Sequence, residues 1–390
     1  MTPAPDAAIT YSDQQLAIQR LARQFTREEV APGAADRDAG AGFDYALYGR
    51  VGDLGLPGTM FPEEVGGAGA DFLSFCLVLE EIGRADIGLG WTLMVATMGV
   101  SSILSGGSAE QVERWMDSYI RPVIDGKATS ATASTEPDAG SDTKRIKTRA
   151  VRDGDDWVLN GSKAFITNAG LDINAFTTVV CVTDEGRFQT IVVPRDAPGL
   201  GVAPPYRKMG LHSSDTREMV FDDCRVPAFN ALAAEGDGRR RQVTEFFKAR
   251  TMLASTAIGC HAESLDLAMT YARQRKAFNQ RLVDFQYVQG HLVETALELE
   301  LSRMMRDKTA RLVDAGLPHG KEAAMTKWFC CEAAKRATDR CLQVFGGTGY
   351  MDEAPVSRYY RDIRAATIAD GATEIQKYIV AREMGFFDPT

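Results

Sequence analysis

The sequence lacks the residue patterns of several protein classes. Its seven cysteines have no CxxC spacing, which argues against a disulfide framework and against a zinc site. The four histidines have no Cys, Asp or Glu partners at metal-binding spacing, so no metal site is predicted. The first residues show no basic segment followed by an apolar one. We therefore expect no secretory signal and a reducing, cytoplasmic location.

Positive charge is also scarce. The chain has 44 Lys and Arg against 53 Asp and Glu, and this net charge of -9 argues against nucleic acid and anionic membranes as partners. Residues 87–109 carry no charge and are long enough to span a bilayer, but glycines, serines and threonines dilute their hydrophobicity. We expect a buried core helix here and no membrane association.

Strands and helices do not alternate as they do in a parallel dinucleotide-binding sheet. The Gly-Gly-Thr-Gly run at 346–349 follows a helical pattern and lacks GxGxxG spacing, so a Rossmann site is not expected. Helical patterns fill residues 1–125, short β-branched and aromatic runs fill 126–234, and helical patterns return in 235–390. Because 390 residues exceed the roughly 250–300 of a single core, these ranges are predicted to be three domains.

Two strings in the middle range carry a family resemblance. Residues 132–142 read TASTEPDAGSD and residues 160–168 read NGSKAFITN, which resemble the paired flavin-binding signatures of acyl-CoA dehydrogenases. The resemblance continues through RKAF at 275–278, QVFGGTG at 343–349 and DGATEIQ at 370–376. It implies an α+β fold with an N-terminal helical domain, a middle β-barrel and a C-terminal four-helix bundle.

The same resemblance implies FAD as the cofactor and an acyl-CoA or acyl-carrier thioester as the substrate. It implies an electron-transferring flavoprotein as the electron acceptor. It also implies a homo-oligomer, either a tetramer or a dimer, in which a neighbouring subunit completes each FAD site.

The strings and their continuations supply the expected FAD contacts. Hydroxyl and N–H donors stabilise the negative charge of a reduced flavin, and a permanently charged arginine suits its pyrophosphate. By resemblance, the cofactor residues are Thr132, Ser134, Thr135, Gly140, Ser141, Phe165, Thr167, Arg275, Phe278, Gln286, Gln343, Gly346, Gly347, Ala372 and Glu374. Structural alternatives stay open: a turn-rich loop at 135–141, core packing for Phe165 and a surface ion pair for Arg275.

Dehydrogenation of a thioester needs a base at the α-carbon, donors to the carbonyl and an electron sink near the β-carbon. Asp370 matches the glutamate base of the family, so it is the expected proton acceptor, with hydride transfer to flavin N5. Its alternative role is an N-cap of the following helix. Aspartate is shorter than glutamate by about 1 Å, a distance that affects rates strongly. A closer substrate, a shifted loop or a different reacting carbon would compensate.

Some relatives carry the base just before a conserved arginine, but this chain has Ala249 before Arg250. Arg250 resembles the residue that orders the base loop, and its alternative is a helix-surface arginine. The expected substrate contacts are Ser141, Phe247, Arg250, Ala369 and Gly371. Ala369 replaces a bulkier family residue, which favours ring-bearing or branched acyl groups.

Several other functions on this fold stay open. A nitroalkane-oxidase-like flavin oxidase resembles this chain in using an aspartate base. An acyl-carrier-protein dehydrogenase and an enoyl reductase would use the same site. A non-catalytic flavin-binding scaffold belongs to a different class.

Overall fold

The N-terminal part of the chain is helical. The computed structural model describes residues 11–232 and 238–386, with no side-chain description for residues 238–245. The first helix begins at a capping box in which Ser12 and Gln15 exchange hydrogen bonds. The helices described in this part are α1 (Asp13–Phe25), α2 (Ala34–Asp36), α3 (Tyr45–Asp53), α4 (Phe72–Ala85), α5 (Ile87–Gly106), α6 (Ala109–Trp115) and α7 (Arg121–Ile124).

Helix α5 lies at the centre of the core. It begins at Asp86, whose carboxylate accepts the Leu89 N–H at 3.0 Å, and residues 87–100 are all buried. A Cβ at Gly90 would lie 3.0 Å from the Thr256 methyl, so the glycine permits close helix packing. The helix is long and apolar enough to cross a membrane, but the protein's own core covers it. The prediction of a buried helix in this region is therefore confirmed.

The middle part is one eight-stranded sheet. Its strands follow the order β6-β7-β3-β2-β4-β5-β8, and β1 pairs in parallel with β4. In β4, alternate buried side chains face the sheet's own core and the helix α5 side, so the strand is almost wholly buried. The strands are β1 (Thr129–Ala133), β2 (Arg149–Asp153), β3 (Asp156–Thr167), β4 (Asn174–Thr183), β5 (Phe188–Pro194), β6 (Leu200–Val202), β7 (Thr216–Pro227) and β8 (Ala231–Leu232).

In its described residues, the C-terminal part contains three long helices, of 37, 29 and 26 residues, and two shorter ones, of 9 and 11. Buried alanines of α10 at 323, 324, 333, 334 and 337 leave room for the neighbouring helices to pack closely. A two-stranded hairpin separates the first helix of this part from the second. The elements are α8 (Gly238–Gln274), β9 (Lys276–Ala277), β10 (Gln280–Arg281), α9 (Gln286–Asp314), α10 (Gly320–Phe345), α11 (Pro355–Ile363) and α12 (Thr373–Glu383).

Buried polar contacts join the three parts. Asn168, at the end of β3, donates to the Thr92 carbonyl of α5 at 3.0 Å. Trp91 of α5 in turn donates to Thr256 Oγ1 of α8 at 3.1 Å. On another side, the Asp362 carboxylate of α11 accepts the N–H of Leu211, which lies between β6 and β7, at 2.5 Å. These bonds fix the sheet relative to the helices, and the fold agrees with the predicted order of helical, β and helical parts.

Candidate active site

The two predicted flavin strings lie side by side. The Ala164 N–H donates to the Thr135 carbonyl at 2.9 Å, which joins the loop after β1 to strand β3. Lys163 is fully buried, and its ammonium donates to the Ser134 carbonyl at 3.0 Å and to Glu136 Oε1 at 2.9 Å. The two strings therefore form a single structural unit.

Glu136 is the centre of this unit. Its carboxylate also accepts the Lys147 N–H at 2.7 Å, the Thr148 N–H at 2.8 Å and the Thr148 hydroxyl at 2.6 Å. Burial raises the pKa of Glu136, but these bonds and the one from Lys163 outweigh it, so the pKa lies below the usual glutamate value. The carboxylate is therefore ionised and fully bonded, as a buried charge requires.

Phe165 presents its ring to solvent. The pairing of β3 with β7 shifts register between Lys163 and Ile166, and Phe165 has a positive φ of 62° at this bulge. The ring is 65% exposed and lies 5.2 Å from that of Tyr206. Core packing, the alternative role for Phe165, is excluded. An aromatic surface held in an uncommon backbone conformation fits a planar ligand.

The other predicted flavin contacts of the middle part lie in the same two sequence strings as Phe165. Thr132, Thr135 and Thr167 are half-buried, whereas Gly140 and Ser141 are exposed. Ser134 is buried, and Thr132 accepts a hydrogen bond from Thr178 at 3.2 Å. A Cβ at Gly140 would meet no atom within 4 Å, so space is open beside the backbone there.

The candidates for the other end of FAD form a second group. The rings of Tyr271, near the end of α8, and Phe345, the last residue of α10, stack at 4.3 Å. This contact brings the hairpin after α8 close to the glycine-rich turn after α10. Exposed residues of the two segments include six candidates: Arg275, Phe278, Gln286, Gln343, Gly346 and Gly347.

The turn at Asp370 and Gly371 has positive φ values of 50° and 90°. Three side chains hold its two carbonyl groups. Arg250 of α8 donates to the Asp370 carbonyl at 3.4 Å, and Lys327 of α10 donates to the Gly371 carbonyl at 2.8 Å. Gln376 of α12 donates to both, at 3.1 and 2.7 Å. A strained turn fixed from three helices is typical of a functional site.

The Asp370 side chain has one buried carboxylate oxygen, Oδ2, that lacks a hydrogen-bond partner in the described part of the chain. Burial raises the pKa of Asp370 above its usual value, and the charges of Lys327 and Arg250 limit the rise. Helix α12 has Ala372 at its N-cap, with no side-chain capping bond, so the capping role for Asp370 is excluded.

Arg250 is buried, with 8% of its surface exposed, so the helix-surface alternative is excluded. Burial lowers its pKa to about 10 against the opposing charge of Asp370. Its guanidinium lies 5.0 Å from the centre of the Phe247 ring, which also contacts His319. Its Nη1 is buried without a partner among the described residues. Arg250, Phe247 and the Asp370 turn therefore form one cluster.

The remaining candidates lie around the same turn. Ala369 is half-buried and packs against the main core, and Gly371 is half-buried. Ala372 is also half-buried, whereas Glu374 is exposed on α12. The neighbouring Thr373 donates to Glu332 at 2.9 Å, so its hydroxyl is engaged inside the protein.

The sequence reasoning assigned no role to four residues that the structure places in the site. Glu136, Lys163 and Gln376 lie inside the quoted strings, and that position was the available signal. Lys327 lies outside them, as a lysine on a helix rich in small residues. Its position near the base loop depends on helix packing, which periodicity alone does not give.

Comparison with protein families matches the chain along most of its length. The matching models are the acyl-CoA dehydrogenase N-terminal domain at residues 12–121, the middle domain at 131–224 and the C-terminal domain at 236–385. The chain belongs to the acyl-CoA dehydrogenase family. It is therefore an FAD-dependent oxidoreductase that acts on CH–CH bonds.

Similar curated proteins carry related names. The probable acyl-CoA dehydrogenase YngJ of Bacillus subtilis is 36% identical, over 95% of this chain and 98% of its own. Cyclohexane-1-carbonyl-CoA dehydrogenase of Geobacter metallireducens is 35% identical, over 96% and 98%. Benzylmalonyl-CoA dehydrogenase of Aromatoleum aromaticum is 36% identical, also over 96% and 98%.

Solved structures confirm the fold. Butyryl-CoA dehydrogenase from Megasphaera elsdenii superposes with a TM-score of 0.92 at 31% identity, covering 96% of this chain and 99% of that one. Glutaryl-CoA dehydrogenase from Mycobacterium smegmatis, solved with FADH2, gives 0.92 at 27% identity, covering 98% and 97%. A chain from work on the electron transferring flavoprotein of Acidaminococcus fermentans gives 0.93 at 32% identity, covering 96% and 99%.

The residues present fit FAD. Phe165 offers an exposed ring for the isoalloxazine, with Thr135, Ser141 and Thr167 as donors nearby in the strings. The second group would receive the pyrophosphate and adenosine, where Cβ atoms at Gly346 and Gly347 would meet nothing within 4 Å. When bound, FAD supplies the electron sink for the hydride.

Proposed function

We propose that this chain dehydrogenates an acyl-CoA thioester with Asp370 as the base that removes the α-proton. One observation carries the proposal: Asp370 Oδ2 is buried and unpartnered on a strained turn beside two cations, Arg250 and Lys327. A desolvated carboxylate is a stronger base than one in water. Proton abstraction at Oδ2 leaves the β-hydrogen to depart as hydride toward the flavin side of the site.

The substrate we propose is a ring-bearing or branched acyl-CoA. Ala369, next to the base, and Ala249, which is fully buried one residue before Arg250, are both small. Small side chains at these places leave volume beside the reacting carbons. Two relatives bear the names cyclohexane-1-carbonyl-CoA and benzylmalonyl-CoA dehydrogenase, both for ring-bearing acyl groups.

We also propose that the protein works as a homo-oligomer and passes its electrons to an electron-transferring flavoprotein. Exposed apolar residues form a stripe on one face of α9: Val293, Leu297, Leu301 and Met304. Phe278, a candidate FAD contact, is 91% exposed in the single chain. A neighbouring subunit on these surfaces would cover the stripe and enclose the adenosine end of FAD. Sedimentation of the purified protein tests the proposed oligomer directly.

Substitution of the base tests the proposed reaction. Asp370→Asn should retain FAD but lose bleaching of the flavin when acyl-CoA thioesters are mixed with it anaerobically. Asp339→Asn, an exposed position on α10, is the control and should reduce at the wild-type rate. Reduction of Asp370→Asn at the wild-type rate would remove Asp370 from the base role.

The aspartate at position 370 favours a second candidate function, a nitroalkane-oxidase-like reaction. Enzymes of that type resemble this chain in having aspartate as the base. The same anaerobic assay separates the two. Bleaching by primary nitroalkanes but by no acyl-CoA thioester, with peroxide formed in air, would replace dehydrogenation with this second function.

A further inference from the structure

Lys327 lies beneath the base loop. It is on α10, and none of its surface is exposed. In the described residues, its ammonium donates one hydrogen bond, to the Gly371 carbonyl at 2.8 Å. The titratable groups that act on it are Arg250 of α8, Asp370 of the loop, and Cys331 and Glu332 of α10 itself.

A buried ammonium group is expensive. An uncompensated charge in the interior costs several kcal/mol, on the order of what a whole domain gains in net stability. Burial accordingly lowers the pKa of Lys327, against the opposing influence of Cys331 and Asp370. A methionine side chain would fill the same space without the cost of burying a charge. The lysine is therefore not explained by packing, and its one bond leads to the turn that carries Asp370.

We propose that Lys327 is a positioning residue that fixes the Asp370 turn through the Gly371 carbonyl and keeps the aspartate ionised between turnovers. This inference rests on the proposed function, in which Asp370 is the base. The bond holds the backbone of the residue that follows the base. The charge stabilises the carboxylate relative to the carboxylic acid in a buried site, where electrostatic interactions are stronger than in water.

Gln376 separates the two effects. Its amide donates to the carbonyls of both Asp370 and Gly371, so it restrains the same turn, but it carries no charge. Loss of Gln376 should therefore disturb the geometry alone. Loss of Lys327 should disturb the geometry and the ionisation of Asp370 together.

The test compares four variants of the FAD-loaded enzyme. Lys327→Met removes the bond and the charge, Lys327→Gln keeps a donor without the charge, and Gln376→Met removes neutral donors. Lys377→Met is the control, because Lys377 is an exposed lysine of α12 that lies 5.0 Å from the Trp328 ring centre. For each variant, the rate of anaerobic flavin reduction by an acyl-CoA thioester is measured across pH.

We expect Lys327→Met to lower the rate at neutral pH by about tenfold or more, since small misplacements of a base are costly. The acidic limb of its pH–rate profile should move to higher pH, because the Asp370 carboxylate loses a stabilising cation. Lys327→Gln should show the same shift with a smaller loss of rate. Gln376→Met should be slower with an unmoved limb, and Lys377→Met should follow the wild type.

Two results would overturn the inference. One is a pH–rate profile in which the acidic limb of both Lys327 variants has the same midpoint as that of the wild type. The other is loss of FAD from both, which would make Lys327 a folding determinant. Failure of the proposed function looks different, because no acyl-CoA thioester would then bleach the wild-type flavin.

Discussion

The buried pair of Lys163 and Glu136 should control FAD binding, because it joins the two strings that carry the predicted flavin contacts. The substitution Lys163→Met keeps the length of the side chain and removes its charge. It leaves the Ser134 carbonyl without the ammonium donor and leaves Glu136 as a buried carboxylate without its cation.

The size of the effect follows from the contacts. Removal of one partner from a buried ion pair costs about 3–5 kcal/mol. Glu136 keeps the donors from Lys147 and Thr148, so we take the lower end, about 3 kcal/mol. If this free energy is lost by disordering the two strings that bind FAD, FAD affinity drops by about 100-fold, because each 1.4 kcal/mol corresponds to about a tenfold change.

A matched control lies on the same loop. Lys147 pairs with Asp138 at 3.1 Å, and both side chains are about two-thirds exposed, at 68% and 67%. A surface pair contributes about 0–1 kcal/mol, so Lys147→Met should change FAD affinity little. FAD affinity is measured by fluorescence titration of each apoprotein, and stability by urea unfolding. Equal affinity and stability in the two variants would refute the structural role of the buried pair.

Three further predictions concern the site. Because burial raises the pKa of Asp370 and the base must be deprotonated, flavin reduction by acyl-CoA should increase with pH through a midpoint above the usual aspartate range, as rapid-mixing absorbance would show. Phe165→Ala should change the free energy of unfolding by less than about 0.5 kcal/mol, since the ring is exposed, yet weaken FAD binding about tenfold in titrations. Gly371→Ala should slow flavin reduction at least about tenfold with FAD retained, because φ is 90° and the new Cβ would lie 2.6 Å from Gln376 Nε2. The first would be contradicted by a rate that does not rise with pH, the second by wild-type FAD affinity in Phe165→Ala, and the third by a wild-type rate in Gly371→Ala.

Local patterns predicted the elements whose causes are local. The uncharged segment at 87–109 predicted the buried helix Ile87–Gly106, and the change from helical patterns to β-branched runs and back predicted the order of the three parts. The order of strands was beyond such reasoning. Strand β4 takes β1, β2 and β5 as partners, and those pairings depend on contacts between segments distant in sequence.

The site residues likewise divide into those found from a contiguous string and those that depend on contacts between distant segments. Asp370 could be named as the candidate base because the string that carries the resemblance, at 370–376, is contiguous. Lys327 was not predicted, because its bond to Gly371 joins residues 44 positions apart. Several lysines lie on α10, and only the packing of α10 against the turn selects this one. The alternatives for Phe165 and Arg250 could be decided only from the burial of each side chain in the folded chain, which residue type does not fix.

The way the turn is held bears on the short arm of Asp370. A shift of the loop toward the substrate would have to break bonds from Arg250, Lys327 and Gln376, which come from three different helices. That compensation is therefore disfavoured energetically, since each bond to a charged donor contributes about 1.5–3 kcal/mol. A closer approach of the substrate, or abstraction from a different carbon, remains compatible with the turn. The small side chain of Ala369, half-buried beside Asp370, favours the closer approach over a bulkier residue at the same position.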